Sequence, residues 1–172
     1  MWESYAKILG HHVARILSHI SGGGPFTVRY RDPPPERPVY ELAVRIDFEG
    51  RLTETRQKVY GYLICGLASF ADSRPLLTDV AAYLGVGAAV LETKTGPQDI
   101  LNEFINIVIG LAEANWTEHG FEISFSTPIS LSGRIYPPPS PHDQAFRLAV
   151  SAETGPRADI LVVFSERGQP AV

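Results

Sequence analysis

The central segment of the sequence is Asp99-Ile-Leu-Asn-Glu-Phe-Ile-Asn-Ile-Val-Ile-Gly110. In an α-helix each residue advances about 100°, and the polar residues of this stretch then share one narrow stripe. The stripe consists of Asp99, Glu103, Asn106 and Gly110, at spacings of four, three and four. Most other positions are apolar, which is typical of a helix that is buried on most of its surface. The sequence therefore predicts a core helix whose polar stripe faces solvent or a partner.

The residues before this stretch predict where the helix begins. Thr95 or Gly96 can serve as the N-cap, and Pro97 suits the first turn. Asp99 then lies in the first turn, where the positive end of the helix dipole favours a carboxylate. We expect the helix to run from about Pro97 to Asn115. A purely stabilising role is open for Asp99, and a solvated strip on a core helix is the ordinary alternative for the rest of the stripe.

Composition limits the class of protein. The 172 residues suit a single domain over 1–172. The hydrophobic fraction of 44% and the net charge of −4 are typical of a soluble globular protein without a nucleic-acid partner. No apolar run reaches the roughly 18 to 20 residues of a membrane span. The one cysteine, Cys65, excludes an internal disulfide and fits a reducing cytoplasm.

Periodicity predicts the elements on either side of this helix. Apolar residues at spacings of three and four predict helices over 3–21 and 72–84. Alternating or apolar runs bounded by turn residues predict strands. The predicted strands are 26–30, 39–48, 59–67, 121–131 with an interruption at Pro128, and a hairpin of 146–151 with 159–165. Two proline-rich stretches, 31–38 and 134–142, predict exposed loops because proline cannot donate to a ladder.

The predicted strand over 39–48 has a two-sided pattern. Its apolar positions, which alternate with Glu41, Arg45 and Asp47, are Leu42, Val44, Ile46 and Phe48. This pattern predicts a half-buried antiparallel strand, and we expect Glu49-Gly50 to end it. In the next strand Gly61 indicates a bulge or a close neighbour.

The order of elements repeats along the chain. A helix, a strand, a Pro-Pro-Pro loop and a strand containing Leu-Ala-Val occur over 3–46 and again over 97–151. We interpret this as an internal duplication with halves of about 1–70 and 95–166. A chance match of two proline runs is the alternative. The first helix lacks the polar stripe, because the residue three positions after Glu3 is Ala6 and not an asparagine.

The polar stripe and the proline after it resemble a known signature. Asp99-x-x-x-Glu103-x-x-Asn106, followed by Pro128 in Ser-Phe-Ser-Thr-Pro-Ile, is similar to the motif of the CheC/CheX/FliY response-regulator phosphatases. In this chain 21 residues separate Asn106 from Pro128, one fewer than is usual in that family. Because only one half carries the motif, the chain resembles CheX more than CheC.

The resemblance implies a chemistry for the stripe. The substrate is expected to be the aspartyl phosphate of a CheY-like receiver domain, which brings its own Mg²⁺, so that no cofactor or metal is required in this chain. Asn106 is implied to fix the attacking water, and Glu103 to pair with a lysine of the receiver. Asp99, Gly110 and Pro128 are implied to support the contact with the partner.

The resemblance also implies an architecture. We expect an α+β fold of the CheC/CheX type, in which long helices pack on one face of an antiparallel β-sheet with approximate internal duplication. A homodimer is implied for proteins of the CheX type.

Three other functions remain open at this point. The chain could bind a receiver, or dimerise, without catalysing hydrolysis. It could be a hydrolase that uses histidines, which are His11, His12, His19, His119 and His142, although no carboxylate or cysteine joins them at ligand spacing. It could also be a pure interaction protein, because Pro33 to Pro38 contains a Pro-x-x-Pro match.

Overall fold

The structure is a computed structural model, and it describes residues 1–21, 26–31, 39–131, 143–152 and 155–165. The helices are α1 (Trp2–Ile20), α2 (Phe70–Tyr83), a 3₁₀ turn (Ala88–Glu92) and α3 (Gly96–Glu118). The strands are β1 (Thr27–Arg31), β2 (Leu42–Leu52), β3 (Lys58–Leu67), β4 (Phe121–Phe125), β5 (Ile129–Ser130), β6 (Gln144–Ala152) and β7 (Gly155–Ser165). Both proline-rich stretches lie outside the described residues, apart from Arg31 at the end of β1.

The strands form one antiparallel sheet in the order β1-β6-β7-β3-β2-β4, and β5 pairs with β2 beside β4. Residues of all three helices share one hydrophobic core with one face of this sheet. The predicted α+β fold is therefore confirmed. The interruption at Pro128 is also confirmed, because that residue lies between β4 and β5.

Aromatic side chains join α1 and α3 over the end of the sheet. The Trp116 indole nitrogen donates to the Tyr5 backbone oxygen at 2.9 Å, and the Tyr5 hydroxyl donates to the His119 backbone oxygen at 2.9 Å. Phe121 and Phe164 lie against the same rings. These groups are buried, so they hold the two long helices side by side.

Two predictions for strand 39–48 are wrong: it does not end at Glu49-Gly50, and it is not buried on one face only. The strand continues through Gly50 to Leu52, and Gly50 is flanked by Val59 on one side and Ile123 on the other. A Cβ at Gly50 would lie 2.5 Å from the Phe121 ring, so this glycine serves close packing rather than a turn.

The second face of β2 is covered as well. Arg45 is only 7% exposed, its Nε donates to Asp47 Oδ1 at 2.7 Å, and its guanidinium lies 4.5 Å from the centre of the Tyr62 ring. Around it lies a smaller apolar cluster on the face opposite the helices, formed by Tyr40, Ala43, Tyr62, Ile64, Leu131, Leu161 and Val163. A charged residue can be buried here because its charge is paired.

Gly61 shows the predicted close neighbours. A Cβ there would overlap the Phe48 ring and the backbone oxygen of Val163. The absence of a side chain on β3 thus lets β7 and the Phe48 ring approach.

The sheet order is symmetric about the β3–β7 pair. Exchanging β1 with β4, β2 with β6 and β3 with β7 reproduces the same order. This is the arrangement that an internal duplication predicts, although the duplication itself stays a prediction. Among the residues that the structure describes, no helix has the length and apolarity needed to cross a membrane.

His12 is a buried titratable group on α1. Its side chain is 4% exposed, and its Nδ1 atom has no hydrogen-bond partner among the described residues. Burial, with smaller contributions from the positive charges of Arg15 and His11, lowers the pKa of His12 from its ordinary value of 6.5.

We predict that folding stability falls as the pH drops below about 6.5, because the unfolded chain then binds the proton that folded His12 resists. Above that pH both states are neutral at this site and the effect vanishes. Urea midpoints between about pH 8 and about pH 5 measure it. The His12→Phe variant should show a smaller slope with pH than wild type, because it lacks the buried imidazole. Equal slopes in wild type and His12→Phe would contradict the assignment.

Candidate functional site

The helix α3 has one buried side and one exposed side. Its buried residues, which face the sheet and the other helices, are Gly96, Gln98, Ile100, Leu101, Phe104, Ile105, Val108, Ile109, Ala112 and Trp116. The four residues of the predicted stripe, Asp99, Glu103, Asn106 and Gly110, are all exposed. Apart from its chain neighbours and the backbone of its own helix, a Cβ at Gly110 would have no neighbour within 4 Å among the described residues. The stripe is therefore an open row that a partner can reach.

The start of α3 is held by backbone and by one threonine. Thr95 is the N-cap, but its side chain makes no capping hydrogen bond. Instead the Gly96 N–H donates to Thr93 Oγ1 at 3.0 Å and the Asp99 N–H to the Thr95 backbone oxygen at 2.9 Å. The Asp99 carboxylate lies in the first turn of the helix as predicted.

The exposed side of α3 is acidic. The helix carries Asp99, Glu103, Glu113 and Glu118, and it contains no lysine or arginine. All four carboxylates are exposed. Such a row attracts a cationic group of a partner, and the attraction is weakened by salt.

Sequence analysis missed a polar contact between α3 and the edge of the sheet. Gln98 Nε2 donates to the Ala43 backbone oxygen at 3.1 Å, and Asn102 Nδ2 donates to Ser130 Oγ at 3.4 Å. The backbone N–H of Leu131 donates to the same Ala43 oxygen at 2.9 Å. The sequence signal that could have predicted this contact is the four-residue spacing of Gln98, Asn102 and Asn106, which places three amides in one row along the helix.

Two acceptors of this contact are left without donors. Gln98 Oε1 and Asn102 Oδ1 are buried and have no hydrogen-bond partner in the described part of the chain. An unpaired buried polar atom costs about 1–3 kcal/mol. The contact therefore contributes less to stability than two fully paired amides would.

Pro128 lies next to this contact in the chain. It is half-buried and directly precedes β5, in which Ile129 pairs with Arg45 and Ser130 with Val44 of β2. Ser130 is the residue that Asn102 contacts. The structure thus brings the segment after Pro128 against the helix that carries the stripe.

Two other kinds of chemistry find little support in the described residues. No group of three or more histidine, cysteine, aspartate or glutamate side chains that could hold a metal occurs among them, and His142 lies outside them. Cys65 is buried, and burial raises the pKa of its thiol to about 12. It is therefore protonated at neutral pH and is not a nucleophile.

Comparison with known proteins identifies the fold. No family model and no curated protein matches the sequence. A chemotactic CheC-like protein of Shewanella oneidensis has a TM-score of 0.73 at 16% identity, covering 96% of this chain and 100% of its own. CheX of Vibrio vulnificus has a TM-score of 0.68 at 17% identity, covering 94% and 99%. A CheX of Borrelia burgdorferi, solved in a complex with CheY, BeF3 and Mg²⁺, has a TM-score of 0.66 at 15% identity, covering 94% and 98%.

These similarities extend over nearly the whole of each chain. The chain therefore has the CheC/CheX-like fold, and the resemblance drawn from the motif is confirmed at the level of the fold. The roles of Glu103, Asn106, Asp99, Gly110 and Pro128 remain predictions.

We predict that Glu103→Ala and Asn106→Ala each change the free energy of unfolding by no more than about 0.5 kcal/mol. Both side chains are exposed, and substitutions at such surface positions change stability little. Phe104→Ala, on the buried side of the same helix, should cost about 3–5 kcal/mol. Urea unfolding of the three variants measures this. A loss above about 1 kcal/mol for either stripe variant would give that residue a structural role instead.

Proposed function

We propose that this chain binds a phosphorylated CheY-like receiver domain and accelerates hydrolysis of its aspartyl phosphate. The observation that carries the proposal is the exposed row Asp99, Glu103, Asn106 and Gly110 on one helix of a chain with the CheC/CheX-like fold. The Borrelia burgdorferi CheX, whose fold this chain shares, was solved in a complex with CheY. That complex supports a CheY-like receiver as the partner.

The proposed reaction needs little from this chain beyond position. Hydrolysis of an acyl phosphate requires a water in line with the phosphorus and neutralisation of charge around the phosphoryl oxygens. An amide side chain can hold such a water, because its oxygen accepts a hydrogen bond from the water while its nitrogen donates elsewhere. Asn106 is exposed in the middle of the stripe and is the proposed group.

The other residues of the stripe serve docking in this proposal. Glu103 lies one turn before Asn106, where its carboxylate can pair with a lysine of the receiver. Asp99 extends the acidic row toward the start of α3. Gly110 leaves space for the partner backbone, because no described residue beyond its own stretch of the helix lies within 4 Å of its Cβ position. Pro128 contributes from the segment beside the helix.

The metal of the reaction belongs to the receiver in this proposal. Mg²⁺ is held by the partner, where it neutralises the phosphoryl oxygens, and this chain supplies no cofactor. A cytoplasmic location is part of the same proposal, since a reducing compartment fits a single unpaired cysteine.

A homodimer is also proposed. The outer strands β1 and β4 lie at the two edges of the sheet, and an exposed edge offers unpaired backbone groups to another strand. We expect the molar mass of the chain in solution, measured by light scattering, to be twice that of the monomer; a monomeric mass would overturn this part of the proposal.

We predict that Asn106→Ala lowers the acceleration of receiver dephosphorylation by about 10²–10³, the usual loss when one group that stabilises the transition state is removed. The receiver is loaded with a small phosphodonor and Mg²⁺, and phosphate release is followed with and without this protein. The matched control is Asn115→Ala on the same helix, whose amide donates to the Leu111 backbone oxygen and lies outside the stripe.

Two outcomes of that experiment would change the assignment. If Asn106→Ala is as active as wild type, Asn106 does not hold the water. If the wild-type chain binds phosphorylated receivers without accelerating phosphate loss, it is a non-catalytic receiver-binding module, for which the exposed acidic row is equally suited.

A further inference from the structure

A row of three carboxamides on α3 ends in the exposed stripe, and its members are Gln98, Asn102 and Asn106. They are four residues apart, so each lies next to the following one along the helix surface. Gln98 is 8% exposed, Asn102 is half-buried and Asn106 is exposed. The row thus leads from the interior of the protein to the proposed catalytic amide.

The inner two amides attach α3 to the edge of the sheet. Gln98 contacts the backbone of Ala43 in β2 at 3.1 Å, and Asn102 contacts Ser130 in β5 at 3.4 Å. The Ala43 oxygen also accepts from Leu131, which directly follows β5. One small polar contact therefore joins the helix, β2 and β5 beside the position of Asn106.

Stability alone does not account for amides at these two positions. Each makes one hydrogen bond and leaves its oxygen buried without a donor among the described residues. A leucine at either position would have a similar volume and would leave no unpaired acceptor of its own. A hydrogen bond to a fixed backbone oxygen does, however, set the rotation and the axial position of a helix, which apolar contacts define less sharply.

We propose that Gln98 and Asn102 are positioning residues for Asn106, an inference that rests on the proposed function. Asparagine is short, so it can hold a water in line with the phosphorus only if the helix surface is placed to within a fraction of an ångström. The contacts of Gln98 with Ala43 and of Asn102 with Ser130 supply this placement. Pro128 acts in the same way, because it separates β4 from β5 and so lets β5 run beside Asn102.

The test separates rate from stability. Asn102→Leu and Gln98→Leu are expected to lower kcat for receiver dephosphorylation on the order of ten- to a hundredfold, the loss that a small misplacement of a catalytic group produces. KM should change less than about twofold, because Glu103 and Asp99 remain in place. The thermal midpoint should stay equal to that of wild type or rise. A merely structural role would instead lower the thermal midpoint and leave kcat per folded molecule unchanged.

Matched variants test whether the contact itself is responsible. Asn115→Leu removes an amide of the same helix whose Nδ2 donates to the Leu111 backbone oxygen, within the helix itself, and it should keep the wild-type kcat. Ser130→Thr retains the hydroxyl that Asn102 contacts and should keep it too. Ser130→Val has nearly the same shape as Ser130→Thr but lacks the hydroxyl, so it should lose kcat as Asn102→Leu does.

The outcomes distinguish this inference from the function on which it rests. If wild type is active, Asn106→Ala is inactive and Asn102→Leu, Gln98→Leu and Ser130→Val retain full kcat, the positioning role is wrong and the proposed function stands. If the leucine variants lose kcat only in proportion to unfolded protein, the contact is structural and the positioning role is also wrong. If the wild-type chain does not accelerate dephosphorylation of any receiver, both fail.

Discussion

The burial of one side of α3 governs how this helix lies against the sheet and α1. Phe104 and Trp116 are almost completely buried in the core that the helices share with the sheet, and the Trp116 indole also donates a hydrogen bond to the Tyr5 backbone oxygen. Turning the helix by a single residue, about 100°, would bring carboxylates of the exposed row toward this core, and burying an unpaired charge is prohibitively unfavourable. The packing of the opposite side therefore decides that Glu103 and Asn106 face outward, and the proposed amide contacts of Gln98 and Asn102 set the finer placement of the helix.

The sheet is shaped to receive this helix. Gly50 in β2 and Gly61 in β3 lie where neighbouring strands and aromatic rings come close. A Cβ would meet the Phe121 ring at Gly50 and the Phe48 ring at Gly61. The edge beyond β2 is shared by two short strands, β4 and β5, because the chain is interrupted at Pro128. That interruption allows β5 to follow β2 where the first half of α3 crosses it, with Ser130 beside Asn102.

The candidate site uses groups that contribute little to folding. The acidic row is exposed, and its carboxylates make no hydrogen bond to another described residue. Two amides next to it leave buried oxygens without a donor in the same part of the chain. The remaining polar pairs of the sheet are better satisfied, as in Arg147, which donates to both carboxylate oxygens of Asp159. Local rules of stability are broken mainly around α3, and such departures are expected where a surface is kept for a task other than folding.

The amino-acid sequence alone predicts the helices, most of the strands and the row of polar residues. These follow from local periodicity, which is read along one segment: the spacing of Asp99, Glu103 and Asn106 is a property of one helix and needs no neighbour. The continuation of β2 through Gly50 could not be predicted in this way, because a glycine in a turn and a glycine under the Phe121 ring have the same sequence signal. The burial of Arg45 could not be predicted either, because its charge is balanced by Asp47 and the Tyr62 ring only after β2 and β3 have paired. The attachment of α3 through Gln98 and Asn102 was likewise decided by the tertiary structure, because their partners Ala43 and Ser130 are 55 and 28 residues away in the chain and come within hydrogen-bond distance only when the helix lies on the assembled sheet.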